Sequence, residues 1–573
     1  MLIINIYFKL ILLLLKYIQE FLTTMFSSYL SLLKLEFKGF NKDKLVKDLI
    51  AGVTVSAVSL PLSLAFAISS GANAASGLIT AIFAGIIIGL LSGASFQISG
   101  PTGTMTAITL MLVANHGLQG IFIAGFIAGI VLLLAGILKL GGLVSFIPLP
   151  VVTGFTSGIA IIIFSGQIDN ITGLKSTGIT VVSKIMSYFA NPQSIDIVPL
   201  ILGLSVILFM ALYPKSFKKY CPDPLMAIVL ATAINIIFKL PVKVVGEIPR
   251  SIILPDRLNL FAIDTAHLPT FISAGISIAA LIMIETLLCG KSASRMKNEK
   301  INSNQELVAQ GIGNIIIALF GGVPATAALA RSSVAIKAGG QTRLANIFHS
   351  IVLLLSMFLL SPVLSKIPLA ALSGVLIVTA IRMNDWAVIK DIFNRKIMTS
   401  IFQFLITMTV TFAVDLTTAV LVGIGFSVLM FIVKISDMQI GMADIDKNKI
   451  TDKTKYCDKY EKAGVIYITG PLFFGTANIL EDKLPAKTSK EILIFSMRGV
   501  TMADTSGIQA LMELCKKLQN EGTKPYFSCV QNNVMEMFKR CGMMEVVGEE
   551  AFFWSTDKAL DYIREQNFRA LNV

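Results

Sequence analysis

Ser95-Phe-Gln-Ile-Ser-Gly-Pro-Thr-Gly-Thr-Met-Thr106 and Phe320-Gly-Gly-Val-Pro-Ala-Thr-Ala-Ala-Leu-Ala-Arg-Ser-Ser333 are two breaks rich in glycine and proline, each set between apolar runs. A bilayer interior offers no water, so unpaired N–H and C=O groups there cost several kcal/mol each and spans run as unbroken helix. Irregular backbone at that depth is tolerated where protein buries it or where it lines a wet cavity. A pair of breaks at corresponding places in two halves of a membrane domain points to a transporter's substrate site. The sequence therefore reads as a secondary transporter, with small anions as its expected substrates.

Composition agrees with a membrane location. Of 573 residues, 54% are hydrophobic and 14% charged, with mean hydropathy +0.77. Soluble domains carry about 25% charged residues, so most of this chain belongs in lipid. A net charge of +13 would suit nucleic acid, yet the basic residues gather in short loops between apolar runs. That is the positive-inside signature, and no nucleic-acid partner is expected. The six cysteines show neither CxxC nor paired spacing, so reduced cytosolic thiols are expected. Met1 to Leu33 is apolar without a small-residue cleavage site, and reads as an amphipathic helix on the cytoplasmic face.

Apolar runs of spanning length, with pieces shortened by Gly or Pro, number about fourteen. They lie near 49–67, 75–92, 101–114, 119–139, 147–167, 196–213, 224–240, 271–290, 305–320, 325–338, 344–361, 368–382, 397–414 and 417–434. With the N-terminus inside, the basic loops around Lys215, Lys291, Lys337 and Lys390 all fall in the cytoplasm. Fourteen divides into two inverted sevens, which makes the broken segments the third and the tenth. The expected fold is a polytopic α-helical membrane protein of two inverted seven-segment repeats, followed by a small cytoplasmic α/β domain. Residues 1–46 form an N-terminal cytoplasmic or interfacial segment, and 47–435 the membrane domain, with repeats at about 47–240 and 271–435. Residues 436–463 are polar and read as a linker; 464–573 form the α/β domain, with strands at Val465–Thr469, Ile492–Phe495 and Pro525–Cys529 and helices at Ser506–Gln519 and Asn533–Arg540.

Asp48-Leu-Ile-Ala-Gly-Val-Thr-Val55, Gln97-Ile-Ser-Gly-Pro-Thr-Gly103, Asn304-Gln-Glu-Leu-Val-Ala-Gln-Gly311 and Gly339-Gly-Gln-Thr-Arg-Leu344 resemble the signature segments of the SulP family of anion transporters. Met502-Ala-Asp-Thr-Ser-Gly507 resembles the STAS domain that these sulfate-permease-like proteins carry after the membrane part. The resemblance runs from about Lys47 to Ile563. It implies a membrane domain split into core and gate, a substrate site between the facing N-termini of the third and tenth helices, a homodimer, and an elevator-like movement of core against gate.

Two facing helix N-termini favour an anion, since each brings unpaired N–H donors and about half a positive charge. The candidate substrate ligands are Thr102, Gly103 and Thr104 on the third segment and Thr326, Ala327, Ala328 and Leu329 on the tenth. The alternative is that these small residues only permit close helix packing. Arg331 either adds positive potential or pairs with a carboxylate or carbonyl. Ser63 and Phe66 on the first segment are further candidates for the pocket lining.

Glu285 lies in the apolar run Ala279–Leu288, where desolvation penalises its charge and suits it to carry a proton. The family resemblance associates an acid here with proton or sodium coupling; the alternative is an ion pair with Lys291 or Arg331. Many family members place a hydroxyl four residues on, where this chain has Cys289, and a thiol is a poor sodium ligand, which favours protons. Asp169 and Asp415 lie near helix ends and read as structural or gating residues. His116 and His349 read as ordinary helix residues, so neither metal nor cofactor is expected. In the tail, Thr505 either caps a helix or matches the hydroxyl that some STAS proteins phosphorylate, and a cytoplasmic partner of the domain is possible.

The expected activity is proton symport of a small inorganic anion, sulfate first, in the cell (inner) membrane, with the N-terminus and STAS domain in the cytoplasm. The alternatives are a sodium-coupled bicarbonate or C4-dicarboxylate transporter, or a passive anion channel or sensor of the same fold. No Ser/His/Asp set, metal cluster or nucleotide motif suggests an enzyme.

Overall fold

In the computed structural model the described residues are 27 and 29–571, without 143–146, 177–180, 191–193, 215–216, 218–221, 260–266, 415, 446–459 and 485–488. Most of the expected N-terminal amphipathic helix, Asp415, Cys221 and Cys457 lie outside them. The four described cysteines are free thiols. Two compact units divide the chain, Met1–Ile424 and Gly425–Val573.

Each of the fourteen apolar segments is helical. In order they form α1 (Lys42–Ser69), α2 (Ala74–Leu91), α3 (Gly103–Ile137), α4 (Leu149–Gly166), α5 (Ile197–Leu212), α6 (Asp223–Phe238) and α7 (Leu268–Lys297). Then follow α8 (Ser303–Leu319), α9 (Leu329–Lys337), α10 (Leu344–Leu359), α11 (Leu369–Met383), α12 (Met398–Ala413) and α13 (Leu416–Ile435). Thirteen labels hold fourteen segments because α3 is one element with a sharp break. Gly117, at φ 66° and ψ −169°, separates residues 103–116 from 118–137, and glycine adopts that backbone without a Cβ penalty. The nine residues of α9 rise only about 14 Å, less than half of a hydrocarbon core about 30 Å thick. Among the described residues seven helices are long and apolar enough to cross a membrane by themselves.

The helices pack in matched pairs. Gly52 of α1 lets α10 approach, its absent Cβ position lying 2.6 Å from Phe348 Cβ. The counterpart seven segments away is α3 against α7, where Gly275 sits at the same distance from Ile127. In the same way Gly154 brings α4 onto Phe404 of α12, and Gly374 brings α11 onto Gly203 of α5. Contacts of this kind sort the helices into two sets, α1–α3 with α7–α10, and α4–α6 with α11 and α12.

The signature segments read separately in the sequence meet in space. Asp48, fully buried on α1, accepts from the Gln341 and Thr342 amides at 2.5 and 3.0 Å and from Thr342 Oγ1 at 2.6 Å. Arg343, in the same turn, donates from Nε and Nη2 to Glu36 at 2.9 and 2.7 Å and from Nη1 to the Leu90 carbonyl at 2.5 Å. Both side chains are nearly fully buried, so the ion pair is hardly screened by solvent. Glu306 on α8 accepts from Ser92 Oγ at 2.5 Å and the Gly93 amide at 2.9 Å, which fixes the chain entering the first break. Asp169 holds its own loop, accepting from Ser176 and from Tyr188 Oη.

The short strands β1 (Ser99–Gly100) and β2 (Thr326–Ala327) lie at the two breaks; the second unit contains a five-stranded sheet, β3 (Gln439–Asp444), β4 (Ala463–Thr469), β5 (Ile492–Gly499), β6 (Lys524–Ser528) and β7 (Phe552–Phe553), in that order. β3 pairs antiparallel to β4 and the remaining pairings are parallel. Helices α14 (Ala477–Lys483), α15 (Thr505–Asn520), α16 (Asn532–Arg540) and α17 (Thr556–Leu571) complete the α/β domain. Leu493, Phe495, Ile508, Leu511, Phe527 and Phe538 are buried in its core. The supposed linker is thus not all linker: it supplies the edge strand β3. Its mostly exposed residues lack the apolar alternation that marks a strand in sequence.

Candidate anion-binding site

The two breaks touch. Ser99–Gly100 (β1) and Thr326–Ala327 (β2) pair antiparallel, with Ser99 opposite Ala327 and Gly100 opposite Thr326. Helix α3 starts three residues after β1, and α9 starts two residues after β2. Thr102 and Ala328 are their N-caps, both extended. Neither caps with its side chain, so the first-turn N–H groups of both helices have no intrahelical acceptor.

Buried polar side chains hold this crossing. Asn314 of α8 clasps Ala325, accepting from its amide at 2.8 Å and donating to its carbonyl at 3.0 Å. Gln310 donates to Ser99 Oγ at 2.8 Å. Thr286 of α7 shares a hydrogen bond with Thr326 Oγ1 at 2.9 Å and accepts from the Ala327 amide at 3.3 Å, while Gln97 Nε2 donates to its carbonyl at 2.6 Å. Gln310 and Asn314, polar residues on an apolar helix in and just after the Asn304–Gly311 segment, are the signal that sequence reading passed over.

Two of the amides in the expected ligand set have acceptors within the protein. The Ala327 amide is given to Thr286 and the Ala328 amide to the Ile98 carbonyl at 3.0 Å. On α9 the first-turn amides are those of Leu329, Ala330 and Arg331, one step further into the helix. Leu329 and Ala330 are exposed, so this helix start faces open space. On α3 the corresponding amides belong to Gly103, Thr104 and Met105. Gly103 has no room for a side chain, since a Cβ would stand 2.2 Å from Ile163 Cδ1 and 3.0 Å from Phe66 Cε1. Phe66 therefore lies at the start of α3. Ser63 does not line an accessible surface: it is fully buried and its hydroxyl has no hydrogen-bond partner.

Arg331 is 1% exposed and donates from Nη2 to the Pro101 carbonyl at 2.9 Å, while Nε and Nη1 have no protein partner. Glu285 is part-buried and accepts from Thr102 Oγ1 at 3.2 Å. Among the described residues it forms no ion pair with Lys291 or Arg331. Cys289, one turn on, is buried, with Sγ 3.7 Å from Ser332 Oγ, and Ser332 in turn accepts the Ile98 amide at 2.9 Å. The thiol is thus bound into the α7–α9 packing. In the second unit Asp504, not Thr505, is the N-cap of α15, accepting the Gly507 amide at 2.8 Å. Thr505 is the first helical residue and is exposed.

Comparison with known proteins places this architecture. A model described as the sulfate permease family matches residues 45–410. The chain belongs to the sulfate permease family. A STAS domain model matches residues 456–559, so this sulfate permease family member carries the appended domain that its Met502–Gly507 segment resembles. Relatives include the "Putative sulfate transporter YvdB" of Bacillus subtilis (strain 168), 33% identical over 536 residues, which cover 90% of this chain and 97% of YvdB. The "Bicarbonate transporter BicA" of Picosynechococcus sp. is 27% identical over 541 residues, covering 90% and 94%. Among solved structures, murine Solute Carrier 26 family member A9 has TM-score 0.81 at 20% identity over 94% of each chain, which shows a common fold. The transmembrane domain of a cyanobacterium BicA has TM-score 0.59 at 30% identity, covering 68% of this chain and 98% of that one. The family is one of anion transporters, and this chain is a multi-pass membrane protein.

Proposed function

We propose that this permease is a secondary active transporter of small inorganic oxyanions, sulfate first, driven by proton symport. The supporting observation is the antiparallel contact of Ser99–Gly100 with Thr326–Ala327, which sets two helix N-termini together beside Glu285. In this reading the anion accepts from first-turn amides of α3 and α9, where backbone donors and helix dipoles cost no reorganisation.

Glu285 supplies the coupling. An ionised carboxylate next to the cradle repels an anion; a protonated one does not, and its O–H becomes a donor. Proton and anion then favour each other's binding by linkage, which is the requirement of symport. Cys289 takes no part in this scheme, because its sulfur is held against Ser332. Translocation is the sliding of the α1–α3/α7–α10 set against the α4–α6/α11–α12 set. The protein works as a homodimer in the cell (inner) membrane with its N-terminus and STAS domain in the cytoplasm, as its basic loops favour.

The test is uptake of labelled sulfate into proteoliposomes with and without an inward proton gradient, with unlabelled bicarbonate, nitrate and fumarate as competitors. Gradient-dependent accumulation supports the reading and excludes a passive pore. Sulfate that neither enters nor responds to protons, with bicarbonate entering on a sodium gradient, would replace it by sodium-coupled bicarbonate transport, the substrate that BicA's name carries.

A further inference from the structure

Histidine is scarce in this chain, three residues in 573, and two of the three meet. His116 is the last residue of the first half of α3, directly before the break at Gly117. His267 is the N-cap of α7, and its side chain makes no capping hydrogen bond. Their ring centroids lie 5.0 Å apart, with the ring planes at 59°. Phe271, buried one turn into α7, stands edge-on to both, 5.1 Å from His116 and 6.5 Å from His267. The pair sits about 20 Å along α3 from the first-turn amides, so it is no part of the crossing. The third histidine, His349, is fully buried on α10.

This spacing suits a shared metal ion. Zinc binds an imidazole nitrogen at about 2.0–2.1 Å, and two imidazoles at corners of its tetrahedron have centroids about 5 Å apart. The tilt between the two rings is too large for flat stacking. His267 is exposed and His116 half-buried, so a hydrated ion can enter from solvent and keep water in its remaining positions. Imidazole suits zinc, copper and nickel, whereas magnesium and calcium want oxygen. No other residue comes within 4 Å of the place a Cβ on Gly117 would take, so the backbone bends there in open space. An ion held by both histidines would brace that bend by joining the end of the half-helix to the start of α7.

We propose that His116 and His267 together bind one divalent late transition-metal ion, zinc above all, as a staple between α3 and α7. The test uses the purified full-length chain without a histidine tag and with its thiols blocked by N-ethylmaleimide, since cysteine also binds zinc. Calorimetric titration with zinc chloride at pH 7.5 should show one ion per chain with Kd on the order of 10 µM. Magnesium chloride should give no binding signal. His116→Phe and His267→Phe keep a ring against Phe271 and remove the nitrogens, and each should weaken zinc binding about tenfold or more. Zinc should raise the melting temperature of the wild type but not of either variant, and without metal all three should melt alike. With Cu²⁺ as a second probe, the electron paramagnetic resonance spectrum should show two coordinated imidazole nitrogens in the wild type and one in either variant. No saturable zinc binding, or binding that both variants retain, overturns the proposal and leaves the three rings an aromatic cluster only. Loss in one variant alone, or a single coordinated imidazole in the wild type, also overturns it, because the ion is then not shared.

Discussion

Arg331 Nη2 lies 2.9 Å from the carbonyl oxygen of Pro101, joining the start of α9 to the residue before the N-cap of α3 across 230 positions of sequence. The guanidinium thus closes the crossing that the two-residue strands begin. Its Nε and Nη1 remain without protein partners beside a helix start, where they add positive potential. Of the sequence-based alternatives, the carbonyl contact is present; the electrostatic role belongs to the proposed mechanism.

Arg331→Met removes the donor and leaves the buried Pro101 carbonyl unpaired, a loss of about 1–3 kcal/mol in stability. We expect a lower melting temperature together with weaker sulfate binding, read by thermal shift and calorimetry on the same preparation. A lowered melting temperature with unchanged affinity would make the residue a structural clamp only.

Gly100→Ala places a Cβ 2.2 Å from Arg331 Nη1. Gly103→Ala places one equally close to Ile163 Cδ1. Overpacking of this kind costs about 1–3 kcal/mol. The second can be relieved at its partner: Gly103→Ala with Ile163→Ala should regain most of the stability that Gly103→Ala loses. Absence of coupling in that double-mutant cycle would mean that the two residues do not touch in the folded protein.

Glu285→Gln keeps a donor near Thr102 and removes the titration. Gradient-driven accumulation of sulfate should disappear while sulfate exchange continues, and the rise of uptake on acidifying the outside should flatten. Full accumulation by the variant would remove Glu285 from the coupling.

Asp48→Ala deletes the acceptor of three hydrogen bonds that tie α1 to the turn before α10. Hydrogen bonds to a charged group contribute about 1.5–3 kcal/mol each. The variant should be recovered in low yield or melt well below the wild type, whereas Asp504→Ala, which removes a half-buried helix cap, should cost only about 0.5–2 kcal/mol.

Burial pushes the Cys515 thiol well above the usual range, so little thiolate forms at neutral pH. Brief maleimide treatment of the native protein at pH 7.5, read peptide by peptide in a mass spectrometer, should leave Cys515 unmodified while Cys529 and Cys541 react. Early labelling of Cys515 would mean that the STAS core opens readily.

Much of the fold was legible because its signals are local. Length and hydropathy mark the spans, Lys and Arg mark the loops, and Gly-Pro breaks mark the two interruptions. The STAS strands β4, β5 and β6 are short apolar runs bounded by polar residues. The strand β3 was missed because an exposed edge strand has no apolar alternation. The full burial of Ser63 was not legible because exposure depends on packing against neighbouring helices, which periodicity does not report. The acceptors of the Ala327 and Ala328 amides, Thr286 Oγ1 and the Ile98 carbonyl, were not legible because they belong to distant segments.

The sequence by itself determined that this is a membrane chain of about fourteen apolar segments, broken at the third and tenth and followed by an α/β domain. Each of those features is set by composition over a few turns of helix or a few residues of strand. Tertiary structure alone decided which amides at the breaks remain free, that Arg331 meets Pro101, and that Glu285 meets Thr102 across 183 positions. Hydrogen bonds act only within about 3 Å, and no local pattern records which distant segments will come that close.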